Sequence, residues 1–453
     1  MLADPAFQDA DHRSVAVPHP YDPALRGRCG DATVASEVEA RVPAMKSSVL
    51  EISRTTARRY LLGRQGLWPG RRWAGSHGAT EAVRALGSVQ VDPVARVAPS
   101  QDLVLRSRVE GYRPGIVWDT VYRERRLFEY GGHLDIYPVE ELPYWRVHME
   151  RRRDDPRVSA FFRDYAAMAA VVFELVRDHG PTRSRDLSAL GAPRVMSGRA
   201  SDVAGLALYN LWLVGVLMIC GRDSKEKVYD LAERVAPAGS FRIADPDEAE
   251  RHFERGALQA GGLITARRWS DAISYRFGRP MGVKQAAPRL DALLAAGEAV
   301  AVRVEGSRQT YYTPADGVSL LARLERGEAP WTAIGPPTDQ EAAFLSPLDN
   351  LLERDRLKDL FGFEHLWEIY KKPAQRRFGV YTMPILYRDR LVGRIDPRMD
   401  RANHTLVMEG VWWEEPSMAA DAGIRMAFDR AITRFAAFHG ATDIHYAQAA
   451  TTP

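Results

Sequence analysis

The sequence predicts an α+β protein in which units of helix, helix and hairpin repeat before a β-rich segment and a final helix. Two segments, which begin near Gly180 and Gly262, share this order of elements. Residues 344–414 then change in character, because short β-rich runs alternate with turn residues. An amphipathic run from about Met418 to His439 predicts the closing helix.

The composition is typical of a soluble protein with several cores. The chain has 453 residues, 45% hydrophobic and 27% charged, and a single core stops growing well below this length. No apolar run approaches the roughly 20 residues of a membrane span. The two cysteines, Cys29 and Cys220, support neither a disulfide framework nor a cysteine metal site. We therefore expect a cytoplasmic protein with no membrane partner.

The first 145 residues predict an extension and a first winged-helix unit. Residues 1–44 lack sustained periodicity, which predicts disorder. Helical spacing over 49–63 and a capped pattern over Thr80–Leu86 predict two helices. Ser88–Pro93 alternates like a strand, and Tyr112–Arg126 predicts a further helical stretch.

Two helices followed by a short two-stranded sheet are typical of a winged helix. The first repeated unit has a helix over Leu206–Leu213 and a hairpin over Val216–Tyr229. The second has a helix over Leu290–Leu294 and a hairpin over Glu298–Tyr312. The predicted domains are a disordered extension (1–44), three winged helices (49–145, 160–240, 247–315), a small antiparallel β-barrel (340–415) and a C-terminal helix with a tail (416–453).

Basic residues form local clusters although the net charge is only +3. A polyanion is bound by such patches more than by net charge. A single cluster is also typical of a solvated helix face paired with nearby carboxylates, so the clusters carry weight only together with the fold. The clusters are Arg58-Arg59, Arg71-Arg72, Arg123 with Arg125-Arg126, Arg151–Arg153, Lys371-Lys372 and Arg376-Arg377.

The triplet Gln90-Val91-Asp92 places two polar side chains on one face of the predicted strand. Alternation with period two turns Val89 and Val91 to the opposite, apolar face. On a helix the two polar side chains would diverge. Without context such a triplet is weak evidence of function.

The chain resembles the YcaQ and AlkZ type of winged-helix DNA glycosylases. The resemblance depends on the order and spacing of several motifs between about Val49 and Glu414, and it implies tandem winged helices followed by a β-barrel. It also implies cleavage of the N-glycosidic bond of N-alkylated purines and unhooking of interstrand crosslinks. The motifs are Arg58–Leu62, Gln90–Asp92, Phe128–His133, Val228–Val235, Leu345–Asn350, Phe361–Phe363 and Leu391–Asp396.

In that family the catalytic motif is Gln, an apolar residue, then Gln or Asp, which implies that Gln90 and Asp92 are catalytic. The Asp form resembles the YcaQ branch, which tolerates a broader range of crosslinks. An ionised Asp can stabilise an oxocarbenium-like sugar and accept a proton from water, and a Gln amide can orient that water. The alternative is that Asp92 caps a turn before Pro93 and Gln90 bonds neighbouring backbone.

Other site residues are expected from the resemblance and the basic clusters. His133 could line the active site, although a His after two glycines is more often an ordinary loop residue. Arg58, Lys371, Lys372, Arg376 and Arg377 are expected to contact phosphates of double-stranded DNA that carries alkylated purines or crosslinks. The eleven His show no paired ligand spacing, and no phosphate-binding glycine loop is found, so we expect neither metal nor cofactor. We expect a monomer.

The mechanism is expected to be hydrolytic. A glycosylase that also cuts the strand needs an amine nucleophile, usually Lys, and no lysine lies between Lys46 and Lys225. The sequence does not decide between housekeeping DNA repair and self-resistance to an alkylating antibiotic. A second hypothesis is a non-catalytic winged-helix regulator, because winged helices are most common as binding modules. It does not explain a carboxylate at position 92, where a phosphate contact would favour Lys or Arg.

Overall fold

The computed structural model describes residues 49–447, except for residues 93, 133, 191–193, 198 and 370. The predicted extension 1–44 and the candidate His133 therefore lie outside the described residues. No helix in the described part of the chain is long and apolar enough to cross a membrane.

The first region runs from residue 49 to 151 and mixes short strands with helices. Its helix over Arg54–Arg64 begins at Ser53, whose hydroxyl accepts a hydrogen bond from the Thr56 amide at 3.2 Å. The elements are β1 (Leu50–Ile52), α1 (Arg54–Arg64), β2 (Trp73–Ala74), α2 (Gly75–Leu86), β3 (Val89–Gln90), α3 (Ser100–Arg106), β4 (Val109–Glu110), α4 (Ile116–Trp118), a π-helical turn (Asp119–Arg123), β5 (Leu127–Tyr130), β6 (Asp135–Pro138) and α5 (Leu142–Arg151).

Two helix predictions in this region need correction. The pattern over 49–63 was expected to be helical throughout, but Leu50–Ile52 forms β1, which pairs in parallel with Val302–Val304. The stretch Tyr112–Arg126 is helical only over residues 116–123. The long-range pairing of β1 satisfies its backbone groups, and local periodicity does not reveal a partner 252 positions away.

The second region contains the first predicted hairpin. Strands β9 and β10 pair antiparallel, with a bulge between Val228 and Tyr229, which confirms the hairpin expected after Leu213. The elements are α6 (Pro156–Asp164), α7 (Ala166–His179), β7 (Arg194–Ser197), β8 (Arg199–Asp202), α8 (Val203–Leu213), β9 (Leu217–Asp223), β10 (Glu226–Leu231) and α9 (Ala232–Val235).

The third region contains the second predicted hairpin, and it shares a sheet with the first region. The strand order is β1-β12-β13-β11, so the N-terminal strand extends the hairpin of the third region. The elements are α10 (Pro246–Gly261), β11 (Ile264–Thr265), α11 (Ala266–Phe277), α12 (Val283–Ala295), β12 (Ala299–Val304), β13 (Thr310–Pro314) and α13 (Gly317–Glu325).

The C-terminal region is an open five-stranded sheet covered by a helix, where the sequence predicted a small antiparallel sheet or barrel. The last strand pairs in parallel with its neighbour, so the sheet is mixed rather than antiparallel. The strand order β14-β15-β16-β17-β18 leaves β14 and β18 at opposite edges, and no closed barrel is found among the described residues. Phe428 and Phe435 of the last helix pack on the sheet with Phe344, so the helix buries the face that a barrel would enclose. The elements are β14 (Ala343–Phe344), α14 (Arg354–Arg356), β15 (Met383–Tyr387), β16 (Arg390–Asp400), β17 (Thr405–Trp413), α15 (Pro416–Ala420), α16 (Ala422–Phe438) and β18 (Asp443–Tyr446).

A buried ion pair joins the first region to the C-terminal region. The Arg108 guanidinium donates to both carboxylate oxygens of Asp349, at 2.7 and 2.6 Å, and neither side chain is exposed. Arg108 also donates to the carbonyl oxygen of Gln65 at 2.9 Å. These bonds satisfy the guanidinium where water does not reach, and they hold the residues that follow α3 against the loop before α14.

Candidate active site

The strand predicted over Ser88–Pro93 is present only at Val89–Gln90, as β3, but the predicted alternation of side chains continues to Asp92. Val89 and Val91 are buried, whereas Gln90 and Asp92 are half-buried. In the sheet β3-β6-β5, Gln90 lies opposite Asp135, and the Val91 amide donates to the carbonyl oxygen of Leu134 at 2.8 Å. The apolar face packs in the core of the first region, and the polar face is left accessible.

A backbone turn and a hydrogen bond fix where this strand begins. Gly87 adopts a φ of 76° after α2, which turns the chain out of the helix. The Asn350 amide then donates to the carbonyl oxygen of Ser88 at 2.9 Å. Asn350 belongs to the motif Leu345–Asn350, so this motif contributes to the candidate site by supporting β3.

Gln90 lines a cleft of about 270 Å³ between the first and third regions. The cleft combines one arginine, one carboxylate and two phenols, so it can hold a charged and hydrogen-bonding ligand. Its lining residues are Ser88, Gln90, Asp135, Tyr137, Ala272, Tyr275 and Arg276. The three residues from α11 could not be assigned to this site from the sequence, because nothing near them signals a partner 180 positions away.

Tyr137 lies at the floor of the cleft. Burial raises its pKa well above the usual range, and the nearby Asp135 carboxylate and Tyr275 raise it further, while Arg276 opposes them. Tyr137 therefore remains a neutral phenol at any physiological pH. It can donate or accept a hydrogen bond there but cannot act as an anionic base.

A glycine is required beside the cleft. Gly131 has a φ of 92°, and a Cβ atom at this position would lie 2.6 Å from the Tyr275 hydroxyl oxygen. Gly131 of the motif Phe128–His133 thus allows α11 to approach β5 and β6, whereas a side chain at Gly132 would meet no neighbour. This contact gives Gly131 a structural role in forming the cleft wall.

Asp92 follows the strand but is not among the residues that line the cleft. Its Oδ1 accepts a hydrogen bond from the Val94 amide at 2.6 Å, so the turn-capping role that the sequence left open is present. The carboxylate also lies close enough to the C-terminal region to add to the rise in the Tyr381 pKa, which burial mainly causes. One capping bond leaves the other carboxylate oxygen available in principle for chemistry.

The five basic residues expected at DNA differ in their surroundings. Arg58 is mostly buried and donates to Asp389 at 3.3 Å, so its charge is paired. Lys371 lies 2.7 Å from Glu368, and Arg376 donates to the carbonyl oxygen of Lys371. Lys372 and Arg377 are exposed, and Arg377 lies over the Phe378 ring.

No metal site is found in the part of the chain that the structure describes. Groups of three or more His, Cys, Asp or Glu side chains placed to hold an ion are absent there. At least one buried histidine forms a hydrogen bond with the backbone instead. The Nδ1 of His148, for example, lies 3.0 Å from the carbonyl oxygen of Arg276, behind the cleft, and can only donate to it.

Comparison with known proteins agrees with the architecture. The family model for AlkZ-like DNA glycosylases matches residues 83–438, which is most of the chain. The structure of Streptomyces sahachiroi DNA glycosylase AlkZ is similar, with a TM-score of 0.56 and 17% identity, and the match covers 88% of this chain and 99% of that chain. At this identity the structural likeness concerns the fold. By its match to the family model, this chain belongs to the AlkZ-like DNA glycosylase family.

Proposed function

We propose that this protein is a monofunctional DNA glycosylase that hydrolyses the N-glycosidic bond of bulky N-alkylated purines, including those in interstrand crosslinks. Family membership supports the reaction class. The observation that carries the assignment of the site is that Gln90 lines the cleft from β3, while the half-buried Asp92 follows it two residues later, beside the cleft. We further propose that the helix and hairpin units bind DNA as winged helices within the predicted domain boundaries.

The chemistry requires little acid catalysis. An N7-alkylated purine already carries positive charge, so it leaves with the electron pair of the C1′–N bond. Water then supplies the oxygen for the new C1′–O bond and gives up a proton. In the proposed mechanism Asp92 stabilises the developing positive charge on the sugar and accepts this proton, while Gln90 orients the water.

The capping bond to Asp92 fits this role. A carboxylate with one oxygen held by the Val94 amide has a fixed orientation, which reduces the entropy lost when substrate binds. Asp135 supplies the carboxylate in the cleft wall, opposite Gln90, and is the second carboxylate of the proposed site after Asp92. We assign it an electrostatic role, since two negative groups near the sugar favour an oxocarbenium-like transition state over a neutral ground state.

Incubation with a duplex that contains N7-methylguanine tests the proposal. We expect release of free base, an abasic strand that stays uncut until alkali is added, and no covalent adduct on borohydride treatment. The amine to exclude is Lys227, because burial lowers its pKa to about 8 and leaves a larger fraction of nucleophilic amine at neutral pH. Absence of base release would support the regulator hypothesis. A borohydride adduct that is lost in Lys227→Met would refute the hydrolytic mechanism.

A further inference from the structure

A second concavity, which we call the arginine pocket, lies between the first region and α16. Its volume is about 460 Å³, within the range of small-molecule sites. It shares no lining residue with the Gln90 cleft. The side chains that define it are Arg71, Arg106, Arg113, Arg434, Tyr112 and Phe438.

Positive charge exceeds negative charge in the arginine pocket. Arg71 and Arg434 both pair with Glu341, each at 2.7 Å, and both also pair with Glu110. These two arginines and two glutamates balance one another. Arg113 is exposed and, among the described residues, its side chain has no ion-pair partner. Together with Arg106 it leaves an uncompensated positive charge.

Arg106 is the unusual member of this group. Only 7% of it is exposed, and its guanidinium lies 4.9 and 5.3 Å from the ring centroids of Phe435 and Phe438. No described residue forms a hydrogen bond or an ion pair with this guanidinium. Its backbone is also fixed, because its carbonyl oxygen accepts a hydrogen bond from Arg71 Nε at 3.1 Å.

Such an arrangement is costly unless a ligand compensates for it. Burial and the neighbouring Arg71 lower the pKa of Arg106 to about 9, so the group remains charged at neutral pH. A buried, unpaired charge destabilises the folded state. The two aromatic rings hold the planar guanidinium in one orientation, which prepares it for bidentate contact with an oxyanion.

We propose that the arginine pocket binds a small aromatic organic anion, a carboxylate or a phosphate monoester, through Arg106 and Arg113. The flat body of the ligand would pack against Tyr112 and Phe438, which line the same pocket. A phosphate of the DNA backbone fits less well, because a guanidinium so deeply buried is out of reach of a rigid duplex surface.

Titration of the full-length protein with phenyl phosphate and with inorganic phosphate tests this proposal by calorimetry. We expect saturable binding of phenyl phosphate, weaker binding of inorganic phosphate, and at least about a 10-fold loss of phenyl phosphate affinity in Arg106→Gln and Arg113→Ala. Arg425→Ala is the matched control, because Arg425 is exposed on the same helix as Arg434 but does not line the pocket. Its affinity should equal that of the wild type.

Arg113→Ala keeps the test decisive if Arg106→Gln fails to fold, since Arg113 is exposed. The proposal is overturned by absence of saturable binding, or by equal affinity of wild type and Arg113→Ala. Equal affinity for inorganic phosphate and phenyl phosphate would overturn the aromatic part of it. Displacement of phenyl phosphate by undamaged duplex DNA would instead make the pocket part of a DNA-binding surface.

Discussion

The Gln90 cleft and the arginine pocket differ in the charge of their walls. The Gln90 cleft has the Asp135 carboxylate in its wall and Asp92 beside it, with a single arginine. The arginine pocket has four arginines and only two balancing glutamates. One side of the first region thus suits a transition state with positive charge, and another suits a bound anion. The charge of the walls distinguishes them more clearly than their shape.

A neutral histidine lies behind each concavity. His148 contacts Arg276 behind the cleft, and burial, aided by Arg152, lowers its pKa to about 4. His439 packs against Phe435 and Phe438 beside the arginine pocket. Burial, aided by Arg106, lowers its pKa to about 3. Protonation of either histidine in acid is therefore expected to destabilise the packing behind the cleft and beside the pocket.

The largest expected effect is the loss of stability of the whole fold in Asp349→Ala. It leaves the Arg108 guanidinium buried without its carboxylate, so the free energy of unfolding should fall by about 3–5 kcal/mol. Urea denaturation measures this. Glu364→Ala breaks the exposed pair with Lys358 and should leave the free energy of unfolding nearly unchanged. Equal, small effects of both variants would show that the buried ion pair does not stabilise the fold.

Acidification should destabilise the protein through the two histidines. An unfolded histidine takes up a proton below pH 6.5, while the folded one stays neutral until about pH 4 or 3, so stability falls as the pH drops through this window. Each histidine should contribute a loss of about 2 kcal/mol between pH 7 and pH 5. Urea midpoints of the wild type, His148→Phe and His439→Phe measure it. A pH dependence equal in all three proteins would contradict the assignment.

Gln90→Ala should impair catalysis at the cleft without affecting ligand binding in the arginine pocket. Without the amide that orients water, the single-turnover rate of base release should fall by about 10-fold, while phenyl phosphate binding stays unchanged. Gln340→Ala, at an exposed glutamine in the loop before β14, is the control. A rate equal to that of the wild type would remove Gln90 from the mechanism.

The smallest effects should come from single DNA contacts. Removal of Lys372 or Arg377, both exposed, should lower the slope of log affinity against log salt by about one unit each. Arg58→Ala should change the slope less, since Asp389 already pairs with Arg58. A binding constant insensitive to salt would argue against a DNA-facing role for these residues.

Features formed by residues that are close together in the sequence could be predicted from it. The alternation of Val89 and Val91 with Gln90 and Asp92 follows from period two alone, and the structure has it. The hairpin over β12 and β13 was likewise predicted, within Glu298–Tyr312, from the local pattern. Such features need no information from distant parts of the chain.

Features that join distant segments could not be predicted. Arg108 and Asp349 are separated by 241 positions, and neither sequence neighbourhood identifies the other. Strand runs alone also do not decide whether a sheet closes. The expected barrel is an open sheet because α16 covers its apolar face.

The most direct test of the central claim compares Asp92→Asn with Asp135→Asn in single-turnover base release and in DNA affinity. Asp92→Asn keeps the shape and the capping oxygen but removes the charge that stabilises the sugar cation. The rate should fall on the order of 10²-fold or more, with affinity unchanged or slightly improved. Asp135→Asn should reduce the rate less. Wild-type turnover by Asp92→Asn, or a larger loss in Asp135→Asn, would contradict the assignment of Asp92 as the catalytic carboxylate.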